Sequence, residues 1–183
     1  NSTPTQTTVV ATGLAAGTYI CTITDTSNCS INDSITITEP NAITVSSTST
    51  NVSCNGASDG TATVNVGGGT PGYSYSWNTT PVQTTVTATA LAAGTYVCTI
   101  TDTNLCPTTH SVTITEPTAI TVSSTTNDVS CNGASDGTAT VNVGGGTPGY
   151  SYAWNTTPAQ TTATATALAV GTYVCTITDT NLC

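Results

Sequence analysis

The chain is 183 residues long, with nine acidic residues, one histidine, no lysine and no arginine, and its formal net charge is −9. Without a cationic side chain it has no electrostatic footprint for nucleic acid or anionic lipid, which excludes both as partners. Only 5% of the residues are charged, so hydroxyls, amides or attached glycans must keep it in solution.

Threonine makes up about a quarter of the chain, with serine, valine, alanine and glycine beside it. β-Branched residues favour strands, and the alanines alternate with threonine instead of forming helical stripes, so an all-β fold is expected. No apolar run approaches the roughly 20 residues of a membrane span, so no membrane insertion is expected in this segment.

Internal repetition dominates the sequence. Cys21, Cys98 and Cys175 each stand in the frame GTY(I/V)CTITDT, about 77 residues apart. Cys54 and Cys131 open CNGASDGTATVNVGGGTPGYSY at the same offset, and Cys29, Cys106 and Cys183 mark a third frame. Asn1 corresponds to Asn78 and Cys183 to Cys106, so the window opens and closes inside a repeat. The expected division is 1–40, the C-terminal part of one repeat; 41–117, a complete repeat; and 118–183, a repeat lacking its last strand. A chain continuing on both sides is expected, with a strand given by a neighbour as the alternative.

The strands of the complete repeat read in order. Ile43–Ser47 alternates, and Asp59-Gly60 turns into Thr61–Val66, with Ala62, Val64 and Val66 inward. The run from Gly67 to Gly72 is a long turn signal before an aromatic strand, Tyr73–Trp77. A turn at residues 78–81 leads to Gln83–Ala90, expected as one or two edge strands. A corner at residues 91–94 opens Thr95–Thr101, where Tyr96, Cys98 and Ile100 share a face. The turn at residues 102–105 leads to Ser111–Thr115, with Val112 and Ile114 inward, and Pro117 stops the ladder. About seven short strands with regular turns predict tandem immunoglobulin-like β-sandwich repeats, arranged as a rod because the linkers are short. Trp77, Tyr96, Trp154 and Tyr173 are the expected aromatic core.

The ordered set Cys-Asn-Gly…Asp-Gly-Thr-Ala (54–62), Gly-Gly-Thr-Pro-Gly-Tyr-Ser-Tyr-Ser-Trp (68–77), Leu-Ala-Ala-Gly-Thr-Tyr (91–96), Cys106 and Thr-Ile-Thr-Glu-Pro (113–117) resembles the SprB-type repeat. That repeat belongs to large secreted surface proteins of Bacteroidetes, including gliding-motility adhesins. The resemblance implies a secreted, extracellular cell-surface location, long repetitive chains, and adhesive or filamentous roles. Two positions depart from the family pattern: Cys98 replaces a core valine or threonine, and Leu105 replaces the glycine before the last cysteine.

Three cysteines per unit in a secreted chain point to structural disulfides. Cys98 follows Tyr96 by two, like the sixth strand of an immunoglobulin sandwich, which favours Cys54–Cys98 and Cys131–Cys175. The open alternatives are a hairpin bridge Cys98–Cys106, Cys54–Cys106 as the resemblance implies, and a bridge from Cys54 of one unit to Cys183 of the next. The equivalent thiols Cys21 and Cys29 fall under the same choices. Zinc is disfavoured, because His110 has no counterpart in the other copies.

Asp59, Asp102, Asn104, Asp136 and Asp179 recur in turns, where such side chains cap backbone donors. Their alternative role is a Ca²⁺ site between repeats; no other cofactor is expected. Asn-x-Ser/Thr sequons occur at Asn1, Asn28, Asn32, Asn51, Asn78 and Asn155, and Asp33-Ser34-Ile35 resembles a Bacteroidetes O-glycosylation motif centred on Ser34. The Thr-x-Thr runs read as solvated strand faces in preference to an ice-binding plane. Trp77 and Trp154 read as core in preference to a sugar platform. No nucleophile–base pair is present, so catalysis is not expected. The expected function is the structural shaft of a bacterial surface fibre, partnered by its own copies or by continuing repeats. The alternative is an adhesin whose repeats bind glycans or surfaces directly.

Overall fold

The computed structural model describes residues 5–183; the sequon at Asn1 lies outside the described residues. The described residues are all-β, with 47% of them in strands and no helix among them. A hairpin of β1 (Gly17–Thr24) and β2 (Ser30–Ile37) is followed by six strands within residues 41–117 and five within 118–183. Those six are β3 (Thr44–Thr50), β4 (Gly60–Gly67), β5 (Ser74–Trp77), β6 (Thr87–Leu91), β7 (Gly94–Thr101) and β8 (Pro107–Ile114). The next five repeat the order: β9 (Thr121–Asn127), β10 (Gly137–Gly144), β11 (Ser151–Trp154), β12 (Thr164–Leu168) and β13 (Cys175–Thr178).

Two antiparallel sheets form the complete repeat, in the orders β3-β4-β6 and β5-β7-β8. This is the A-B-E and C-F-G arrangement of an immunoglobulin-like sandwich without its fourth strand D. Alternation along β4 places Ala62 and Val64 inside, both fully buried, while β7 contributes Cys98 and Ile100 and β8 contributes Val112 and Ile114. Trp77 on β5 fills the centre at 1% exposure, and its indole nitrogen donates to Thr85 O at 3.0 Å. Burying an indole ring removes a large apolar area from water, and the bond to Thr85 removes the penalty of an unpaired buried N–H.

Tyr96 is half-buried at the start of β7 and donates through its hydroxyl to Ala92 O at 3.1 Å. Tyr19 and Tyr173 make the same bond to Ala15 and Ala169. Each is a tyrosine corner, which pins the turn that carries the chain from one sheet to the other.

Residues 83–86 were expected to begin an edge strand, but only Thr87–Leu91 pairs with β4. Gln83 explains the difference. Its side-chain amide donates to Thr89 O at 3.0 Å and its Oε1 accepts from Thr89 N at 2.9 Å. The side chain thus ties the loop to Thr89 on β6, while Gln83 O accepts from Trp77 N, Thr85 O from Trp77 Nε1 and Val86 O from Val64 N, which holds a compact loop in place of strand D.

In residues 118–183 the core repeats with Ala139, Val141, Trp154, Ala165 and Leu168. Among the described residues no strand lies on the far side of β13, so Cys175 is half-buried where Cys98 is fully buried.

The junction between repeats as candidate functional site

The chemistry of the molecule concentrates where the two sandwiches meet, and the loops there are built from turn residues. On one side lies the loop of residues 53–59. Asp59 Oδ1 accepts Ser53 N at 3.0 Å, and Ala57 N donates to Cys54 O at 3.0 Å. Gly56 takes φ +76°, which only glycine adopts cheaply. Together these bonds set Cys54 at the rim of the sandwich, half-buried.

On the other side lies the turn 179–183. Asp179 is 3% exposed, and its Oδ1 accepts from Asn181 N and Cys183 N at 2.9 and 3.0 Å. Its Oδ2 reaches across to Thr147 N at 2.8 Å, tying the turn to the glycine-rich loop. These backbone donors, Thr147 foremost, hold the Asp179 carboxyl below the usual carboxylate range. Asp102 is held low in the same way by Thr70 N and Cys106 N. Asp59 and Asp136 are lowered by bonds from Ser53 and Ser130.

Cys54 and Cys183 are joined by a disulfide with Cα atoms 5.7 Å apart. Beside it Asn181 Nδ2 donates to Ser53 O at 2.9 Å, and Cys183 Sγ lies 3.5 Å from the same carbonyl. The linker is clamped on both sides. Gly56 N donates to Glu116 Oε2 at 2.8 Å and Asn55 Nδ2 to Pro117 O at 3.0 Å, while Gly146 N donates to Thr118 O at 2.7 Å. A shallow cleft of about 200 Å³ remains, lined by the disulfide, Asn55, residues 117–120, Gly146 and Asp179.

The favoured pairs Cys54–Cys98 and Cys131–Cys175 are not formed, and neither is Cys98–Cys106 or Cys54–Cys106. An immunoglobulin-type bridge needs its first cysteine on strand B, but Cys54 lies in the loop before β4, whose core positions are Ala62 and Val64. Cys98 instead points into the core at 0% exposure, and desolvation raises its thiol pKa; Cys175 is raised for the same reason. Cys21, Cys29, Cys106 and Cys131 are exposed thiols.

The turn aspartates spend their oxygens on backbone donors, and Asn104 donates to Thr70 Oγ1 at 2.9 Å. Among the described residues no three His, Cys, Asp or Glu side chains gather into a metal-binding group. His110 Nε2 lies 3.0 Å from Ser47 Oγ, half-buried against the opposite sheet. Trp77 and Trp154 are 1% and 5% exposed, so neither ring offers a platform. Ser34 is exposed on β2, and Asn78 and Asn155 are exposed with Oδ1 accepting Val97 N and Val174 N.

The positive φ of Leu105 (+63°) and Leu182 (+66°) shows why the resemblance placed glycine before the last cysteine of each turn. Sequence reasoning did not single out Asn181 or Glu116, whose roles depend on contacts across the junction or between distant segments. Their recurrence as Asn104 and Glu39 was the available signal.

A two-sheet sandwich repeated in tandem and stapled at its junction defines a β-sandwich repeat module. The SprB repeat family matches residues 46–81 and 123–158, so the chain carries two SprB repeats. Each match runs from within the first strand of a sandwich to the loop after its tryptophan strand. No curated protein matches the chain. SprB repeats occur in cell-surface proteins, and the two matches suggest a repeat region of a surface adhesin or gliding-motility protein.

Proposed function

We propose that the chain is part of the structural shaft of a secreted bacterial surface fibre, with its repeats stacked end to end. The observation that carries this reading is the junction: a disulfide, an amide bond from Asn181 to Ser53, and a linker clamped to both repeats. A covalent link over so short a connection removes freedom between neighbouring units, which a load-bearing shaft needs and a flexible tether does not. Near-identical repeats present near-identical ends, and head-to-tail contacts that do not close on themselves make filaments. On this reading the chain has no catalytic role and no resident cofactor, and its partners are further repeats or copies of itself. Glycans on the hydroxyl-rich surface, with Ser34 first among the sites, would supply the solubility that so few charges leave wanting.

The adhesin alternative draws on the company SprB repeats keep, but the buried tryptophans withhold the aromatic surface that sugar binding commonly uses. Negative-stain imaging of the purified chain, combined with glycan-array binding, separates the two. Extended particles or filaments without glycan binding are expected. Dispersed globular particles that bind glycans would overturn the shaft reading.

A further inference from the structure

The loop that carries Cys54 holds a second reactive group, the Asn55-Gly56 pair. Asparagine followed by glycine is the dipeptide most prone to react with itself, because an unhindered glycine nitrogen can reach the side-chain carbonyl carbon of the residue before it. Only Asn55 and Asn132 precede a glycine in this chain. Asn55 and Gly56 form the centre of a tight turn, closed by Ala57 N donating to Cys54 O at 3.0 Å, with Gly56 at the positive φ of a type II turn. Both residues are exposed, so water has free access to them.

In the junction the two reacting nitrogens are both engaged. Gly56 N, the attacking atom, donates to Glu116 Oε2 at 2.8 Å. Asn55 Nδ2, the leaving group, donates to Pro117 O at 3.0 Å. Attack requires Gly56 N to give up its proton. A carboxylate that accepts a hydrogen bond from that N–H stabilises the protonated form, and as an anion it opposes negative charge on the nitrogen. It is also far too weak a base to take an amide proton. The clasp therefore restrains the reaction, and Pro117 keeps the carboxamide turned toward the linker.

We propose that Asn55 is a self-modification site held silent by Glu116 and Pro117, and that it converts to aspartate or isoaspartate when the linker leaves the loop. Gly56 N then bonds to Asn55 Cγ, the Cγ–Nδ2 bond breaks, and the proton from Gly56 N departs with the amide nitrogen as ammonia. Water opens the resulting succinimide at either carbonyl. The net change is one water consumed, one ammonia released and a carboxamide turned into a carboxylate, with no change of oxidation state. The product cannot re-form the clasp. Aspartate lacks the donor for Pro117 O and sets a second negative charge beside Glu116, in a chain with no lysine or arginine to offset it. Isoaspartate lengthens the main chain by one methylene and displaces Gly56 N. Conversion thus fixes a transient opening of the junction as a lasting one, next to a cysteine of the staple. The inference holds for a shaft and for an adhesin alike, so its failure leaves the proposed function standing.

The test holds the purified chain at mildly alkaline pH and follows conversion at each asparagine by peptide mapping with mass spectrometry. Asn55 should convert roughly tenfold or more slowly in the folded chain than in denaturant, the scale set by losing one hydrogen bond to a charged group. Glu116→Ala should speed conversion at Asn55 severalfold while the rate at Asn132 and the melting temperature stay at their wild-type values. An Asn55 rate that is unchanged or slower in Glu116→Ala overturns the proposal, a slower one marking the carboxylate as a promoter of the attack. Equal speeding at Asn55 and Asn132 overturns it too, because loosening of the whole chain would then suffice. Asn55→Asp places the product at the site from the start. By NMR hydrogen exchange, the Gly56 N–H of that variant should exchange severalfold faster than in the wild type, each relative to its intrinsic rate. Exchange at the wild-type rate would show the clasp surviving its own product, and would overturn the loosening.

Discussion

Trp77 on β5 stands directly opposite Cys98 on β7, and both side chains are sealed in the core of the complete repeat, at 1% and 0% exposure. In an immunoglobulin sandwich this place belongs to a tryptophan packed on a disulfide. Here the tryptophan packs beside a lone thiol, and the disulfide has moved to the end of the sandwich, between repeats. Trp77→Ala should therefore cost about 3–5 kcal/mol, through lost burial and the cavity left behind. Denaturant titration of the chain checks it. Trp77→Phe, which keeps most of the ring but loses the bond to Thr85, should cost less.

Thiol reactivity should divide along the same line. Thiolate is the reactive form, and burial raises the Cys98 pKa while shielding its sulfur. Under native conditions without reductant, Cys21, Cys29, Cys106 and Cys131 should alkylate fast and Cys98 slowest. Alkylation in denaturant without reductant should modify six cysteines and spare Cys54 and Cys183. Peptide mapping reads both patterns.

Removing the staple should be felt mainly through the unfolded chain. The link closes a segment with a sequence separation of 129 residues, long enough for a chain-entropy gain of roughly 4–5 kcal/mol. Cys183→Ser should lower the unfolding free energy of the linked pair by up to that amount, read from denaturant titration. It should also allow the two sandwiches to unfold in separate transitions by calorimetry.

Acid should unfold the chain through its turns. Asp59, Asp102, Asp136 and Asp179 have folded-state pKa values below the ordinary carboxylate value. Their contribution is therefore fully present above the unfolded pKa of about 3.9, and is lost as pH falls through the lower folded values. Stability should be flat at neutral pH and decline below about pH 4. Asp102→Asn together with Asp179→Asn should lower the neutral-pH melting temperature and flatten the acid limb, as a pH series of thermal melts would show.

Backbone conformation predicts opposite signs at two neighbouring sites. Leu105 is exposed at φ +63°, so Leu105→Gly should be neutral to stabilising, by up to about 1 kcal/mol. Gly69 has φ +58°, and an added Cβ would lie 2.7 Å from Ile43 Cγ1 and 3.0 Å from Asp102 Oδ2. Gly69→Ala should therefore destabilise by more than about 1 kcal/mol. Thermal melts of the two variants compare the signs directly.

The repeat period, the all-β class, the turns and the inward faces of β4, β7 and β8 were legible in the residues. They follow from local rules: alternation with period two, β-branched content, and Gly, Asp and Pro at turns. Trp77 and Tyr96 likewise announced their places by type and spacing. The loop at residues 83–86 was not legible, because its carbonyls bond to Trp77 and Val64 and the Gln83 side chain to Thr89, none of which alternation registers. The choice of thiol partner was not legible either. With the same three cysteines in each unit, sequence distance ranks the pairings poorly. Bond formation requires Cα atoms to approach within about 7 Å, and only the packed fold sets that approach. Folding puts Cys98 inside the sandwich and Cys54 at its rim, where the neighbouring repeat brings Cys183. The sequence determined the unit, and the tertiary structure determined how one unit is fastened to the next.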